Sequence, residues 1–159
     1  MRITHYEEPY KEQVIELILN IQNNEAGIGL SLEEQPDLKD IDSFYKKDGG
    51  AFLLALNELD EVIGTIALMN KGNGIGILKK FFVRADCRSQ KAGLRLYLSL
   101  SDFCAENHIN TLILDTPAVA KASHKFYEQN GFVRIEKSAL PIPYDFPDRN
   151  SYLYIKTQA

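Results

Sequence analysis

The sequence predicts an α/β (α+β) fold with a mixed central sheet of about seven strands, largely antiparallel and flanked by about four helices. Short apolar segments bounded by turn residues alternate with longer segments that carry apolar residues at helical spacing. A length of 159 residues suits one domain, and an apolar content of 45% is enough to bury a core. We therefore expect residues 1–159 to form a single domain built on one sheet.

The chain is predicted to begin with a strand at residues 2–6 and two helices at residues 9–23 and 37–46. Pro9 suits the first turn of the first helix, where the N–H group has no intrahelical partner. Residues at three- and four-residue spacing form the inward faces of these helices: Val14, Leu17, Ile18 and Ile21 in the first, and Leu38, Ile41 and Tyr45 in the second.

The next part of the chain predicts three antiparallel strands, introduced by the break at Gly49 and Gly50. The strands are expected at residues 51–56, 62–69 and 77–83, with turns at residues 57–61 and 71–76. The second turn contains three glycines, but it lacks the Gly-Lys-Ser/Thr of a P-loop and does not lead into a helix. It is therefore interpreted as a hairpin turn.

Helices and strands alternate in the second half of the chain. A leucine-rich helix at residues 91–107 connects two strands, and this unit, residues 77–115, should be a right-handed crossover. Gly131 is well placed to end the helix that follows. The remaining elements are expected as a strand at residues 111–115, a helix at residues 119–130, and strands at residues 133–136 and 151–156.

Composition excludes several classes of partner and location. The 18 basic and 22 acidic residues give a net charge of -4, which supports neither a nucleic-acid nor a membrane partner. No apolar run approaches the length of a membrane span, and the N-terminus lacks the apolar core of a signal peptide. The two cysteines, Cys87 and Cys104, are expected to be free thiols in a reducing compartment, Cys104 in the core and Cys87 exposed in a turn. A cytoplasmic location is the expectation.

The strongest candidate binding site is the strand-to-helix turn at residues 82–94. A helix start presents unpaired N–H groups and the positive end of a dipole, and both favour phosphate. In this turn an alanine and a glycine permit close approach, an arginine and a lysine add positive charge, and a serine can cap the helix when no ligand is bound. These residues are Arg88, Ser89, Gln90, Lys91, Ala92, Gly93 and Leu94.

A second segment, residues 123–132, carries the pair Phe126 and Tyr127 one turn before the helix stop Asn130-Gly131-Phe132. Taken alone, the first segment favours an ordinary loop with a helix cap, and the second favours a core helix with a glycine terminator. Their common occurrence, in this order and spacing, is what favours a functional interpretation.

Together the two segments resemble the signatures of the GNAT superfamily of N-acetyltransferases. The first signature is a strand ending in valine, a turn, and Arg/Gln-x-x-Gly-x-Gly/Ala at a helix start; here Val83 is followed by Arg88-Ser89-Gln90-Lys91-Ala92-Gly93. The second is Ala-x-x-x-Tyr on a helix ending in Gly-Phe; here it reads Ser123-His124-Lys125-Phe126-Tyr127 and then Gly131-Phe132. With the order of elements, the resemblance covers nearly the whole chain.

The chain departs from these signatures in the phosphate turn and in the second helix. Lys91 occupies the position of the first glycine of the turn. Ala120 stands where an asparagine is often found early in the second helix, and Ser123 stands in place of the alanine. These positions bear on contacts to the phosphates and to the pantetheine arm.

The resemblance implies that acetyl-CoA is the acyl donor and that it lies where two central strands separate. Its pantetheine arm would pair with the backbone of Phe82 and Val83, and the N–H of Val83 would stabilise the oxyanion. Tyr127 would act as the general acid that protonates the thiolate. The implied cofactor-binding residues are Phe82, Val83, Arg88, Ser89, Gln90, Lys91, Ala92, Gly93, Leu94, Ser123 and Tyr127.

The resemblance also implies direct attack by an amine, either of a small molecule or of a protein. The general base stays open between Glu25, Asp115 and bulk water, because the matching strand carries Lys79-Lys80 instead of a carboxylate. Two irregular segments are candidate walls of the acceptor site: residues 25–32, and residues 141–150 with Tyr144 and Phe146.

Two other functions remain as alternatives. The first is a non-catalytic relative that acts by binding CoA or a protein, and the second is a nucleotide-binding domain that uses the same helix start. The three histidines, His5, His108 and His124, lack the spacing of metal ligands, so no metal is expected. Tyr152 and Tyr154 are taken as exposed strand aromatics, which would permit a homodimer.

Overall fold

Seven strands form one mixed sheet in the computed structural model, which describes residues 1–144 and 150–157. The strands are β1 (Arg2–His5), β2 (Ala51–Leu56), β3 (Val62–Gly72), β4 (Ile75–Val83), β5 (Thr111–Pro117), β6 (Val133–Ile135) and β7 (Ser151–Thr157). Their order across the sheet is β1-β2-β3-β4-β5-β7-β6. Only β4 and β5 pair in parallel, so the predicted mixed, largely antiparallel sheet is confirmed.

Four α-helices flank the sheet: α1 (Lys11–Leu19), α2 (Pro36–Lys39), α3 (Ala92–Glu106) and α4 (Lys121–Gln129). A 3-10 turn precedes α1 and a π-helical turn, Asn20–Glu25, continues it, so the predicted first helix is present with irregular ends. In the part of the chain that the structure describes, no helix combines the length and the apolar character needed to cross a membrane.

The prediction of one continuous helix at residues 37–46 is wrong. The segment consists of α2 and a π-helical turn, Asp42–Lys46, which are separated at Asp40. Asp40 adopts φ -147° and ψ 71°, outside the helical region. Its carboxylate accepts the N–H of Ser43 at 3.3 Å, so a local cap competes here with helix continuation.

Apolar residues are buried on both faces of the sheet. One face packs against α3 and α4 through a cluster that includes Leu96, Tyr97 and Tyr127, and the other packs against α1 and its neighbouring turns. The interior strand β2, which lies between β1 and β3, is buried along its whole length, which explains why its sequence, AFLLAL, is continuously apolar.

Two expectations about exposure are corrected by this packing. Cys87 is buried, at 5% exposure, because the 3-10 turn after β4 directs it into the cluster below α3. Tyr154 is fully buried and donates its hydroxyl hydrogen to Glu128 at 2.6 Å, so it offers no surface for a dimer. Tyr152 is half-buried, and the guanidinium of Arg134 lies 3.4 Å from the centre of its ring. Cys104 is buried as predicted.

The glycine-rich segment between β3 and β4 is a hairpin turn, as predicted. Asn73 and Gly74 connect the two strands, and both have positive φ, 56° and 77°. Two consecutive residues with positive φ give the turn geometry that matches the twist of a hairpin.

The parallel pairing of β4 and β5 is short. Ile75, Gly76 and Ile77 pair with Thr111, Leu112 and Ile113, and no pair follows although β4 continues to Val83 and β5 to Pro117. A bulge in β4 accompanies the separation: Ala67 pairs with Lys79 and Thr65 with Phe82, so one residue of β3 lies opposite two of β4. The two central strands therefore enclose a gap between their C-terminal halves.

Gly50, just before β2, permits a close backbone approach that a larger residue would prevent. A β-carbon at this position would lie 2.1 Å from the carbonyl oxygen of Leu68 and 2.6 Å from that of Tyr45. We expect Gly50→Ala to lower the free energy of unfolding by about 3 kcal/mol, measured by urea denaturation. Gly93→Ala is the matched control, because its β-carbon would lie no closer than 3.6 Å to any of its nearest neighbours. Equal denaturation midpoints for Gly50→Ala and the wild-type chain would contradict this account.

Candidate active site

The gap between β4 and β5 exposes backbone groups at the end of β4. The N–H of Arg84 donates to Ile63 on β3 at 2.8 Å. Since peptide groups alternate in direction along a strand, Phe82 also faces β3, whereas Phe81 and Val83 face the gap. The Arg88 side chain supports this orientation, because its Nε donates to the carbonyl oxygen of Val83 at 3.0 Å.

This geometry changes the pair of residues available to an extended ligand. The sequence suggested Phe82 and Val83, which are adjacent and therefore point in opposite directions. In the structure the backbone groups of Phe81 and Val83 face the gap, and those of Phe82 are directed to β3. Because backbone groups alternate in direction along a strand, the residue that shares the direction of Val83 is Phe81, and the sequence alone could have indicated this.

The turn after β4 leads to an uncapped helix start. A 3-10 turn, Ala85–Gln90, comes first, and α3 begins only at Ala92. The expectation that Ser89 caps this helix is wrong, because the N-cap position is Lys91 and no side chain bonds to the first turn. The N–H groups of Ala92, Gly93 and Leu94 therefore have no intrahelical or side-chain partner.

Lys91 occupies the conformation that explains why a glycine is expected there. Its φ is 61° and its ψ is 21°, in the left-handed region. A β-carbon in that region carries a penalty of about 1 kcal/mol, which glycine avoids. The Lys91 side chain is exposed and forms no ion pair within the described residues, so its charge is available at the rim of the turn, next to exposed Ser89 and Gln90.

Gly93 is not required by the packing of the protein itself. A β-carbon there would contact Val83 Cγ2 at 3.6 Å and the Phe81 ring at 3.7 Å, both ordinary van der Waals distances. Its φ lies outside the left-handed region. The glycine thus keeps open a space that borders both the helix start and the backbone edge of β4.

Arg88 is held at the same rim by two partners. Besides the Val83 carbonyl oxygen, its guanidinium contacts the carboxylate of Glu25 at 2.7 Å. Glu25, one of the two candidate bases, is therefore ion-paired to a residue of the predicted phosphate turn.

Tyr127 approaches the gap from the face covered by α3 and α4. Only 7% of it is exposed, and its ring packs among Phe81, Phe126 and Phe132, with centroid distances of 5.6 to 6.3 Å. Within the described residues its hydroxyl has no hydrogen-bond partner. Burial raises the pKa of Tyr127 above its ordinary value, and the charge of Asp115 adds to the shift, so the hydroxyl stays protonated. Ser123 lies one turn earlier on α4 and is half-buried.

Asp115 lies within β5 beside the gap. The strand continues to Pro117, and α4 begins only at Lys121. The Asp115 carboxylate accepts a hydrogen bond from the hydroxyl of Tyr144. Its charge raises the pKa of Tyr127 and opposes the lowering of the pKa of Lys80 by burial.

Lys79 and Lys80 lie on the β4 side of the gap, and both are half-buried. The Lys80 ammonium donates to Gln35 Oε1 at 2.6 Å and lies 3.6 Å from Asp37 Oδ2. Gln35 in turn exchanges two hydrogen bonds with Gln22, at 2.8 and 3.0 Å. Burial lowers the pKa of Lys80, the Asp37 carboxylate opposes that shift, and the Lys79 ammonium adds to it.

The two segments predicted as walls of the acceptor site lie in different places: residues 25–32 contact Arg88, and the second segment contacts Asp115. In residues 25–32, Asn23 exchanges hydrogen bonds with the backbone of Leu30 at 2.6 and 2.7 Å, and Glu25 reaches Arg88. In the second wall, Tyr144 is buried beside Ile77 and Leu153 and contacts Asp115. Phe146 lies outside the described residues. A depression of about 350 Å³ adjoins Tyr144 and is lined by residues 140–144 and Lys137.

Comparisons with known proteins identify the family of the chain. Residues 15–132 match the acetyltransferase (GNAT) family. The chain is 31% identical over 101 residues to N-acetylaspartate synthetase of Xenopus tropicalis, covering 62% of this chain and 37% of that protein. It thus spans well under half the length of this curated relative.

Solved structures give the same result over the whole chain. An acetyltransferase of the GNAT family from Staphylococcus aureus Mu50 is 35% identical, with a TM-score of 0.93 over 99% of both chains. The PaiA N-acetyltransferase of Thermoplasma acidophilum, solved in complex with coenzyme A, shares the fold at 17% identity, with a TM-score of 0.75 over 98% of both chains. On this evidence, the chain belongs to the acetyltransferase (GNAT) family.

Proposed function

We propose that the protein transfers an acetyl group from acetyl-CoA to an amine by direct attack. The observation that carries the proposal is the convergence of three features on the β4–β5 gap. They are the outward backbone of Val83, the uncapped start of α3, and the partnerless hydroxyl of Tyr127. The family's general reaction, acyl transfer from acetyl-CoA, supports the same conclusion.

The residues present suit the donor. The first N–H groups of α3, with the charges of Arg88 and Lys91, would hold the pyrophosphate. The backbone of Phe81 and Val83 would pair with the amide groups of the pantetheine arm, as a further strand would. When bound, acetyl-CoA supplies the acetyl group as a thioester. The residues of the chain would stabilise the oxyanion and assist the proton transfers.

The reaction forms a C–N bond, breaks a C–S bond and requires two proton transfers, one from the amine and one to the sulfur. The amine nitrogen attacks the carbonyl carbon, the C–S bond breaks, and the electron pair leaves with sulfur. The N–H of Val83 would stabilise the negative charge on the carbonyl oxygen. The nitrogen releases a proton to a base, and the sulfur gains a hydrogen bond and then a proton.

Tyr127 would assist the departure of the thiolate by donating a hydrogen bond or a proton to its sulfur. A thiol has a pKa of about 8.5 and an ordinary tyrosine about 10, so transfer from an unperturbed tyrosine is only slightly unfavourable. Because burial raises the pKa of Tyr127, complete transfer becomes harder than the sequence alone suggested, while donation of a hydrogen bond is secured at all physiological pH values. Tyr127 would therefore stabilise the departing thiolate mainly as a hydrogen-bond donor.

Asp115 is the better placed of the two candidate bases. Glu25 is engaged by Arg88 on the phosphate side, whereas Asp115 lies at the gap and is oriented by the Tyr144 hydroxyl. We assign it the role of receiving the amine proton, directly or through water.

The two buried free cysteines support a reducing, cytoplasmic location.

Binding and catalysis can be tested separately. Acetyl-CoA, and not ATP, should raise the melting temperature, because a ligand that binds the folded state stabilises it. Release of CoA thiol across a panel of amines should then identify turnover. Stabilisation by ATP alone would instead support the nucleotide-binding alternative, and stabilisation by acetyl-CoA without turnover of any amine would support the non-catalytic one.

Gly93→Leu tests the phosphate turn. A leucine side chain would occupy the space beside the helix start, so the Kd for acetyl-CoA should rise on the order of tenfold or more. Folding should be preserved, since leucine is a good helix former and the glycine has no close backbone neighbours there. Calorimetry measures the affinity and urea denaturation the stability. Unchanged affinity in a folded Gly93→Leu protein would remove this turn from the site.

Tyr127→Phe tests the role of the hydroxyl. The ring packing is retained, so we expect kcat to fall about a hundredfold with little change in the KM for acetyl-CoA. The wild-type rate should show no descending limb up to about pH 10, because the raised pKa keeps Tyr127 protonated beyond the ordinary range of tyrosine. Tyr97→Phe, another buried tyrosine of the same aromatic cluster, is the control and should leave kcat nearly unchanged. Equal rates for wild type and Tyr127→Phe would refute the assignment.

A further inference from the structure

The acceptor side of the gap carries opposite charges on its two strands. Lys79 and Lys80 come from β4, and Asp115 comes from β5. The bulge in β4, with Lys80 at φ 52°, presents the two neighbouring lysines toward one face of the sheet. Lys80 reaches Gln35, and Lys79 lies with its ammonium 6.0 Å from the centre of the Tyr144 ring.

Only one of these two cations is neutralised by the protein. Lys80 is paired with Asp37, whose carboxylate also accepts the hydroxyl of Tyr45. Lys79 forms no ion pair with any described residue, although it is half-buried and has lost part of its hydration. The Tyr144 ring, at 6.0 Å, is at the limit of a cation–π contact and compensates little of that loss.

Asp115 is the corresponding anion. In the described part of the chain it pairs with no cation, and its partner, the Tyr144 hydroxyl, is neutral because burial and Asp115 itself raise the pKa of Tyr144. Tyr144 therefore separates an unpaired ammonium from an unpaired carboxylate: its ring lies beside Lys79 and its hydroxyl on Asp115.

We propose that the acceptor is a small amine that also bears a carboxylate, as an amino acid does, with its carboxylate held by Lys79 and its ammonium by Asp115. This arrangement satisfies both unpaired charges with one ligand and directs the nitrogen toward the carboxylate that receives its proton. A peptide N-terminus or a protein lysine has no carboxylate at the required position, so the proposal selects small molecules over proteins. It rests on the proposed acetyl transfer.

The test uses matched acceptors, namely an amino acid and its 1-carboxamide, such as glycine with glycinamide and alanine with alaninamide. For wild type, kcat/KM should favour an acid over its amide. Lys79→Gln should raise the KM for the acid about tenfold, with kcat little changed and no effect on the amide. Lys79→Arg should restore most of the preference. The decisive quantity is the change in the acid-to-amide ratio on substitution, because differences in basicity between the two amines cancel in it.

Lys71→Gln is the matched control, since Lys71 is an exposed lysine of the β3–β4 hairpin outside the gap. It should leave both acceptors unaffected, and thermal unfolding should verify that every variant is folded. The proposal is overturned if wild type acetylates the carboxamides as efficiently as the matching amino acids, or if Lys79→Gln changes kcat/KM equally for both. Turnover of the carboxamides alone would leave the acetyl transfer intact and refute only the acceptor class. Absence of turnover with all amines would refute the transfer itself.

Discussion

The early end of the pairing between β4 and β5 is the constraint on which the rest of the structure depends. Three residue pairs hold the strands together, after which the backbone of Phe81 and Val83 has no neighbouring strand on the β5 side. A sheet interior normally satisfies such groups internally, and unpaired ones are retained where a ligand can take the missing partner's place. The gap also brings α3, α4 and Asp115 to one point, because each follows from or packs against a strand that borders it.

The bulge in β4 has a second effect, on charge. Strict alternation would direct the side chains of consecutive residues to opposite faces of the sheet, but the extra residue of the bulge allows Lys79 and Lys80 to lie on the same face. Lys80 then ties the strand to α2 and to the turn after α1 through Gln35, Asp37 and Gln22. This buried network fixes one wall of the gap, and Lys79 is not part of it.

Two carboxylates that the sequence could not rank are separated by their partners. Glu25 lies beside the turn that precedes α3, where it contacts Arg88, and Asp115 lies at the gap, where it contacts Tyr144. Both interactions join residues far apart in the chain. The same is true of Tyr127, whose raised pKa comes from burial among side chains of β4, α4 and the segment after it, and from Asp115.

Local pattern by itself determined the order of elements, the hairpin at Asn73-Gly74 and the phosphate turn, since propensity, turn chemistry and a helix start act over a few residues. The resemblance added the family and Tyr127. Only the tertiary structure decided that Phe81 rather than Phe82 faces the gap, that Lys91 rather than Ser89 precedes α3, and that Tyr154 and Cys87 are buried. Each of these depends on strand register, on a left-handed turn or on packing between distant segments. Those quantities are set by the whole fold, whereas the strand-to-helix turn at residues 82–94 could be located in the sequence because it depends on residues that are local to it.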